Sequence, residues 1–567
     1  MKRRDVSACF AAAVLSVAVA LSPARAALAV TCAELNGASI PPSAIGLPTT
    51  GATVTTSTVA ATATLGEYCK ALVAIHPVDR SAPDIRAQVN LPAEWNTKAF
   101  MQGGGGYNGT IPNTTVNFGN GPLGKPALAQ GYATFSSDSG HQANARTSRD
   151  GRFAVSAEAL HNFAGDALKK TRDSAVYLIE KRYGRRPTRS YFVGGSTGGR
   201  EALWVVQNTP NDFDGAVSMY PAWNAASLDL QFGRITRALA KPGAYPNPRK
   251  QLVWVNAVIA ACDELDGLKD GLVSNTAACH FDTATVRCAG GADTADSCLS
   301  DAQIGAMRVY GSPLLIPYPT GSGEFFYPGF SVFVGADPTG SLDLKSQQPT
   351  SEIVTSDQAT NACLGCPYEN MPYPSVFWDQ WVKFFVTGDP RFDSLKLDPQ
   401  SPGPYRERIS DLLGLQDVNK TDLSAFNKRG GKLLLMHGLA DGLVATDATS
   451  EYYIRLLDDM GHKNVRRFVR YYTIPGLGHV FGSPSATGGG FFASWDPLPA
   501  LEAWVEKGQE PSGLVTVDQN AATRGRTRPV CEWPSWPKYN GAGDPNSATS
   551  FTCARSAGEG DDSDSED

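Results

Sequence analysis

One ten-residue stretch, YFVGGSTGGR at 191–200, constrains the fold of this chain more than any other. It contains the pattern G-x-S-x-G centred on Ser196, after a run typical of a buried strand and before a segment with helical spacing. A sharp turn between strand and helix needs small residues beside the serine, and Gly194, Gly198 and Gly199 meet that need. The stretch therefore predicts a nucleophile at Ser196, and a serine in a glycine-rich turn is the alternative.

Strand-like and helical segments alternate in two regions of the chain, at about 85–225 and 431–510. Strands are predicted at 85–91, 98–102, 132–136, 191–195, 215–221, 432–438 and 468–476, and helices at 157–183, 450–461 and 498–508. Such alternation predicts a mostly parallel sheet with helices on both faces, which is an α/β fold.

The middle of the chain, about 225–425, interrupts this pattern. It is rich in Pro, Gly, Asp and aromatic residues, and it holds six of the ten cysteines that follow residue 29. We predict that 225–425 form an inserted lid domain, and that the α/β core is built from 30–224 and 426–557. The acidic end, GEGDDSDSED at 558–567, is predicted to be disordered.

The first 29 residues have the pattern of a signal peptide. MKRRD supplies positive charge, 11–21 is apolar, and an A-x-A cleavage site lies at 24–26, with 27–29 as an alternative. The apolar run is shorter than a bilayer span, which argues against a membrane anchor. We expect an exported protein, secreted or periplasmic, with no membrane partner after cleavage. The net charge of −6 and the lack of a long Lys/Arg run argue against nucleic-acid binding.

An even number of cysteines in an exported chain argues for disulfides. Because the ten remaining cysteines are clustered, we predict bridges between sequence neighbours. The predicted pairs are Cys32–Cys69, Cys262–Cys279, Cys288–Cys298 and Cys531–Cys553, with Cys363 and Cys366 left over. The left-over CLGC pair is predicted to close a tight loop. A redox or metal pair is the alternative, although no second CxxC completes a zinc site.

A nucleophilic serine needs a histidine as its base and a carboxylate that orients the histidine. In a fold with this strand–turn–helix motif the order along the chain is Ser, Asp or Glu, then His. His479 lies in the glycine-rich loop PGLGHVFG after a predicted strand, and Asp441 follows the preceding strand in KLLLMHGLADGLV. We therefore predict a triad of Ser196, Asp441 and His479.

Other histidines and carboxylates fit these roles less well. His280 lies in the cysteine-rich insertion, and His462 follows a predicted helix end, where a capping role is expected. His437 ends a predicted strand, and we expect it to support the Asp441 loop through a hydrogen bond. Asp447, the close competitor of Asp441, falls near the start of the next helix, where a capping or solvated carboxylate is expected.

Acyl transfer also requires donors for the oxyanion of the tetrahedral intermediate. The glycine run at 103–106 follows an early strand, and such a run lets backbone N–H groups point at one site. With the N–H of Thr197 it is predicted to form an oxyanion hole. Gly104 is the favoured donor, although the sequence does not separate it from its neighbours, and a flexible loop is the alternative.

In combination, these motifs resemble the tannase and feruloyl esterase family of α/β-hydrolases. The matching pieces cover nearly the whole chain after the signal segment, in order: GGGGYNG (103–109), SSDSGH (136–141), GGSTGGRE (194–201), CDELDGLKDGLV (262–273), FFYPGF (325–330), HGLADGLV (437–444) and GLGH (476–479). The resemblance implies an α/β-hydrolase core with a large lid, and the hydrolysis of esters that are commonly esters of aromatic acids.

The resemblance also implies a structural calcium site. Its ligands would be the carboxylates of Asp263, Asp266 and Asp270 and the backbone carbonyls of Leu268 and Leu272. Oxygen ligands of these two kinds suit Ca²⁺. An acidic turn without metal is the alternative, and no organic cofactor is expected.

The sequence departs from the family pattern at one pair of positions. Family members usually carry a cysteine immediately before the nucleophilic serine and another immediately after the catalytic histidine, joined as a disulfide. Here these positions are Gly195 and Val480. Both cysteines are absent together, as the loss of one bridge predicts, so the triad prediction is unaffected.

The predicted function is that of an exported serine ester hydrolase with a small-molecule ester substrate. Esters of gallic, hydroxycinnamic, terephthalic or related aromatic acids are favoured. Hydroxyalkanoate oligomers, short aliphatic esters and peptides are alternatives, as is a non-catalytic binding protein of the same fold. In the lid, Phe377, Trp378 and Trp381 are predicted either to line an acyl pocket or, given their helical spacing, to pack in the core.

Overall fold

The computed structural model describes residues 30–118, 124–143, 148–342, 348–349, 371–479, 491 and 493–555. The predicted signal segment at 1–29, the acidic end at 558–567, Cys363, Cys366 and Val480 lie outside the described residues. In the described part of the chain, no helix is long and apolar enough to cross a membrane.

One sheet of 11 strands organises the described part of the molecule. In spatial order the strands are Ser39–Ile40, Gly51–Val59, Tyr68–His76, Ile85–Pro92, Ala133–Ser137, Lys98–Gln102, Arg189–Gly195, Gly215–Met219, Lys432–Gly438, Val469–Ile474 and Cys531–Glu532. The run from Ala133–Ser137 to Val469–Ile474 is parallel throughout. The predicted α/β class with a mostly parallel sheet is confirmed, and each predicted strand is present with small shifts at its ends.

Helices cover both faces of this sheet. The α-helices of the described residues are Ala157–His161, Ala167–Tyr183, Thr197–Asn208, Ala225–Leu239, Pro248–Cys262, Asp301–Gly311, Thr339–Leu342, Tyr373–Gln380, Arg406–Gln416, Ser424–Lys428, Thr446–Met460, His462–Val465 and Leu498–Lys507. Successive strand residues point to opposite faces, and Phe192 and Val193 accordingly belong to different apolar clusters. Leu203 of one helix packs in the first cluster and Leu501 of another in the second.

A long excursion separates two adjacent strands of the sheet. Gly215–Met219 and Lys432–Gly438 pair directly in parallel, and the described residues between them add no strand to the large sheet. They form helices and one short antiparallel pair, Leu314–Leu315 with Phe326–Tyr327. This connectivity is that of the predicted insertion at 225–425, whose boundaries stay a prediction.

The sheet extends beyond the predicted strands at both edges. Gly51–Val59 and Tyr68–His76 form an antiparallel pair next to Ile85–Pro92. Smaller sheets follow near the end of the chain, from Ala493–Ser494, Val515–Asp518 and Thr527–Pro529, and from Trp536–Tyr539 and Phe551–Ala554. Near this edge, the strand Gly51–Val59 exposes Thr53 and Thr55 while burying Ala52 and Val54, the alternation typical of a half-buried strand.

Disulfides join the cysteine pairs predicted from their clustering. The bridges are Cys32–Cys69, Cys262–Cys279, Cys288–Cys298 and Cys531–Cys553. The last of these ties the edge strand Cys531–Glu532 to the hairpin strand Phe551–Ala554. These four predicted bridges are therefore confirmed, and the pairing of Cys363 with Cys366 stays a prediction.

Replacing both Cys531 and Cys553 by serine should lower the free energy of unfolding by about 3 kcal/mol, because the bridge restricts the unfolded chain. The sequence separation of 22 residues is the basis of that magnitude. Urea denaturation followed by tryptophan fluorescence measures the change. The double serine variant of Cys288 and Cys298, which opens a loop of 10 residues, is the matched control and should lose slightly less. An unchanged midpoint in the first variant would contradict the bridge.

Candidate active site

Ser196 occupies the sharp turn between the strand Arg189–Gly195 and the helix Thr197–Asn208. Its backbone has φ 59° and ψ −123°, a conformation that residues other than glycine rarely adopt. A Cβ at Gly194 would lie 2.3 Å from the carbonyl oxygen of Gly198, so a side chain does not fit where the strand and helix cross. The predicted turn is therefore present, and it presents the serine hydroxyl at the carboxyl end of a central strand.

The residue before the serine is a glycine because a tyrosine ring occupies the space of a side chain there. A Cβ at Gly195 would lie 2.5 Å from both Cε2 and the hydroxyl oxygen of Tyr220. Tyr220 is buried, and its ring centroid lies 5.0 Å from that of His479. A cysteine at position 195 would collide with this ring, and the partner position Val480 lies outside the described residues.

The three predicted triad residues are joined by hydrogen bonds. Nε2 of His479 lies 2.9 Å from Oγ of Ser196, and Nδ1 of His479 lies 2.8 Å from Oδ2 of Asp441. Because an ionised carboxylate only accepts, Nδ1 carries the proton and Nε2 is left to accept the serine proton. Each residue follows one of the parallel strands, whose carboxyl ends meet at the same edge of the sheet.

Asp441 is a fully buried carboxylate with several donors. Its Oδ1 accepts from the backbone N–H groups of Leu443 at 2.8 Å and Val444 at 3.0 Å. Its Oδ2 lies 3.0 Å from Nε2 of His437, the residue expected to support this loop. Burial alone raises the pKa of Asp441, but the charge of His479 and the hydrogen bonds from both histidines hold that pKa below its usual range. The carboxylate is therefore ionised, as a group that orients a base must be.

The competing groups lie elsewhere. Asp447 is in the first turn of the helix Thr446–Met460, and its carboxylate accepts from the Ser331 hydroxyl at 3.1 Å. His280 is exposed in the insertion. His462 begins the short helix His462–Val465 and is exposed as well.

The backbone donors near the serine differ from the prediction in one respect. The N–H of Gly104 donates to Oε2 of Glu201 at 2.9 Å, so it is not available to an oxyanion. Gly105 lines the cavity beside the serine, and its N–H has no acceptor among the described residues. The N–H of Thr197 stands at the first position of its helix, where no intrahelical acceptor exists. Gly104, the donor that the sequence favoured, is therefore engaged by Glu201, and the N–H groups of Gly105 and Thr197 are the ones left available beside the serine.

Glu201 is a positioning residue that sequence reasoning missed. It is 2% exposed on the helix Thr197–Asn208 and accepts from Gly104 N–H and from Nδ2 of Asn108 at 2.7 Å. Burial raises its pKa, while the charge of Arg200 opposes that rise. The glycine loop is thus fastened to the helix that starts at the nucleophile. The motif GGSTGGRE contained this glutamate, but its spacing gives no sign of the loop it contacts.

A cavity of about 340 Å³ opens beside Ser196 and His479. This volume is within the usual range for small-molecule sites. Five phenylalanine and tyrosine side chains line it, and one face of the helix Ala225–Leu239 forms another side. These aromatic residues are Tyr107, Phe163, Phe232, Tyr373 and Phe377, and the helix contributes Ala225, Leu228, Asp229 and Phe232.

The lid aromatics predicted as pocket or core are divided between these roles. Phe377 lines the cavity. Trp378 and Trp381 are completely buried, and Nε1 of Trp378 donates to the carbonyl of Ser394 at 3.0 Å. The three residues are close in sequence, but they lie on different sides of the helical segment, so only the first reaches the site.

The predicted calcium loop follows the helix Pro248–Cys262. Oδ1 of Asp263 accepts from the backbone N–H groups of Asp270 at 3.0 Å and Leu272 at 3.2 Å. Burial, with repulsion from the carboxylates of Asp270 and Asp263, raises the pKa of Asp266 to about 6. Within the described ranges no group of three or more His, Cys, Asp or Glu side chains is arranged to hold a metal ion.

Two arginines that sequence reasoning missed hold the same loop. The guanidinium of Arg528 pairs with the carboxylate of Asp270, and Nη1 of Arg526 donates to the carbonyl of Asp270 at 2.9 Å. No described N–H or O–H donates to the carbonyl of Leu268 or Leu272. The oxygen atoms that the resemblance implies as ligands therefore lie in this loop. The carbonyls of Leu268 and Leu272 accept no hydrogen bond from the described residues.

Comparisons with known proteins identify relatives of this chain. A family model described as tannase and feruloyl esterase matches residues 69–554. An uncharacterized esterase of Agrobacterium fabrum is 36% identical over 563 residues, covering 95% of this chain and 97% of that protein. Mono(2-hydroxyethyl) terephthalate hydrolase of Piscinibacter sakaiensis is 30% identical, covering 87% of this chain and 86% of that protein. The crystal structure of feruloyl esterase B from Aspergillus oryzae has a similar fold, with a TM-score of 0.70 at 23% identity over 90% of this chain and 98% of that one.

Replacing Gly195 by alanine should slow the reaction of Ser196 with a fluorophosphonate by at least about tenfold. The new methyl group would lie 2.5 Å from the Tyr220 ring and would displace that ring toward His479. Labelling rates, followed by mass spectrometry, measure the effect. Gly305→Ala, where a Cβ meets nothing within 4 Å, is the matched control. Adding Tyr220→Leu to Gly195→Ala should cost less than the sum of the single changes, and wild-type labelling of Gly195→Ala would refute the packing argument.

Proposed function

Since the chain belongs to the tannase and feruloyl esterase family of carboxylic ester hydrolases, we propose that it is an exported serine esterase for esters of aromatic acids. The observation that carries the proposal is the hydrogen-bonded series Ser196, His479 and Asp441 in the wall of an aromatic cavity. The ester carbonyl would lie at the serine, with its acyl group in the cavity.

In the acylation step, Oγ of Ser196 attacks the carbonyl carbon while Nε2 of His479 takes the hydroxyl proton. Asp441 stabilises the positive charge that this transfer places on the imidazole. The tetrahedral intermediate collapses as His479 gives the proton to the departing alkoxide, which leaves as the alcohol. The acid stays bound to Ser196 as an ester.

In the deacylation step, water takes the place of the alcohol. His479 removes a proton from this water, whose oxygen attacks the acyl-enzyme carbonyl. The proton then returns to Oγ of Ser196, and the carboxylic acid is released. In both steps the N–H groups of Gly105 and Thr197 would donate to the oxyanion, and Glu201 would hold the glycine loop in place through Gly104.

The aromatic preference rests on the lining of the cavity and on two relatives. The side chains of Phe163, Phe232, Tyr373 and Phe377 offer planar, apolar surfaces to an aromatic acyl group. A relative at 30% identity is named for terephthalate monoester hydrolysis, and others are named as probable feruloyl esterases. Both names describe esters of aromatic acids.

Export is supported by two independent features. The segment at 1–29 has the composition of a signal peptide. Four disulfides join cysteines in the described residues, and such bridges persist in oxidising compartments. We therefore propose a secreted or periplasmic location.

We also propose that the loop at 263–272 binds a structural calcium ion. The carboxylates of Asp263, Asp266 and Asp270 repel one another, and a divalent cation would relieve that repulsion. The carbonyls of Leu268 and Leu272 supply further oxygen ligands of the kind that Ca²⁺ prefers. The ion would stabilise the fold at the root of the insertion and take no part in the chemistry.

Ser196→Ala should reduce ester turnover by at least about 10⁴-fold, because triad members act as a unit. The measurement is kcat/KM for p-nitrophenyl acetate and for a panel of gallate, ferulate, terephthalate monoester and short aliphatic methyl esters. Ser148→Ala, another hydroxyl in the cavity wall, is the matched control and should retain turnover. Persistent turnover in Ser196→Ala would contradict the assignment of Ser196 as the nucleophile. A wild-type preference for aliphatic esters would contradict the proposed preference for esters of aromatic acids.

Removing calcium with EDTA should lower the Tm of the wild-type protein, and added Ca²⁺ should restore it. A ligand at 100 times its Kd contributes about 2.7 kcal/mol to folding. Differential scanning fluorimetry measures the shift. Asp266→Asn should lose the response, whereas Glu264→Gln, which changes an exposed carboxylate in the same segment, should keep it. A wild-type Tm that is the same in EDTA and in Ca²⁺ would end the calcium proposal.

A further inference from the structure

Among the described residues that line the cavity beside the nucleophile, one carries a carboxyl group. The helix Ala225–Leu239 presents Ala225, Leu228, Asp229 and Phe232 to it at helical spacing. Three of these are apolar, and Asp229 is the exception. Among the described residues that line the cavity, none is Lys or Arg. A carboxyl group has therefore been buried at this wall without a cation from the same lining.

The partners of Asp229 leave much of its hydrogen-bonding capacity unused. Asp229 is 3% exposed, and the hydroxyl of Tyr107 lies 3.1 Å from each of its carboxyl oxygens. The same hydroxyl lies 3.2 Å from the carbonyl of Phe377. One phenol proton serves one acceptor at a time, whereas a carboxyl group offers about four acceptor sites. The described residues form no salt bridge to Asp229.

Burial without a cation also acts on the titration of this group. Desolvation raises the pKa of Asp229 well above its ordinary value, although the Tyr107 hydrogen bond opposes the rise, and the charge of Asp417 adds to it. The carboxyl oxygens of Asp229 can accept a further hydrogen bond from a group in the cavity.

We propose that Asp229 and Tyr107 determine specificity for the acyl group, by binding a phenolic hydroxyl carried on the aromatic acid. The proposal rests on the proposed function, since it places the acyl group in this cavity. A phenol O–H would donate to a carboxyl oxygen of Asp229, and the phenol oxygen would accept from the Tyr107 hydroxyl. The surrounding phenylalanine rings would hold the ring that bears the hydroxyl.

The same arrangement disfavours a second carboxylate on the acid. A terephthalate-type monoester would bring its free carboxylate into a cavity whose described lining supplies a carboxyl group and no cation. Burial of an unpaired charge is costly. We therefore expect hydroxylated aromatic esters to be preferred over both their deoxy analogues and their carboxylated analogues.

The test compares kcat/KM for methyl esters of 3- and 4-hydroxycinnamic acid with that for methyl cinnamate, and adds monomethyl terephthalate. The wild type should favour at least one hydroxylated ester. Asp229→Leu, which keeps the number and branching of the side-chain heavy atoms, should lower this preference by roughly 10- to 100-fold. Asp229→Asn, which keeps a carbonyl oxygen that can accept from the phenol, should keep the preference. Tyr107→Phe, which removes one oxygen atom, should lower it in the same direction.

Leu228→Ala is the matched control, because it changes the shape of the same helix face without changing its polarity. It should alter kcat/KM for the hydroxylated and deoxy esters in parallel. A wild type with equal kcat/KM for the two kinds of ester, or one that prefers monomethyl terephthalate, would overturn the inference. So would an unchanged preference in a folded Asp229→Leu or in Tyr107→Phe. A wild type that hydrolyses no aromatic ester at all would instead overturn the proposed function.

Discussion

The site depends on one buried charge, the carboxylate of Asp441. Its accessible surface is nearly zero, and a charge in that position is tolerated only when donors surround it. The donors come from its own loop at Leu443 and Val444, from His437 on the preceding strand, and from His479 on the next loop. Because His479 is one of the groups that donate to the Asp441 carboxylate, this hydrogen bond also holds the loop that carries His479. The distance from His479 to Ser196 follows from that arrangement.

Three other buried carboxyl groups show why burial alone does not identify a catalytic acid. Glu201 fastens the glycine loop, and Asp417 accepts from Ala226 N–H at 3.0 Å and from the Ser227 hydroxyl at 2.9 Å. Burial raises the pKa of Asp417 to about 7, whereas the two histidines lower that of Asp441. The groups around each carboxyl therefore distinguish Asp441, which orients a histidine, from Asp417, which caps a helix. Asp417 caps the helix that carries Asp229, and burial raises the pKa of both carboxyl groups.

Features set by local chain geometry were predictable from the sequence. The parallel strands, the turn at Ser196, the order of the triad and the disulfides between clustered cysteines all follow from short-range patterns and one rule of chain order. The engagement of Gly104 by Glu201 was not predictable, because a glycine run permits many N–H directions and Glu201 selects among them from across the turn. The sequence likewise did not distinguish Phe377 from Trp378 as a pocket residue, because the orientation of their helix depends on distant contacts. In the structure Phe377 lines the cavity and Trp378 is buried. Threonine-rich Gly51–Val59 was missed because its half-exposed pattern is also typical of loops.

Gly195 shows how packing takes over a position where the resemblance implies a covalent bond. A disulfide beside the nucleophile would restrict the serine turn and the histidine loop through bonds. Here the absence of a side chain admits Tyr220, whose ring lies 5.0 Å from the His479 ring and 6.4 Å from the His437 ring. The backbone N–H of Tyr220 also donates to the carbonyl of Met436 at 2.6 Å, on the strand that leads to Asp441. Tyr220 therefore lies against the surroundings of all three triad residues, and the close packing of its ring occupies the position where the resemblance implies a covalent bond.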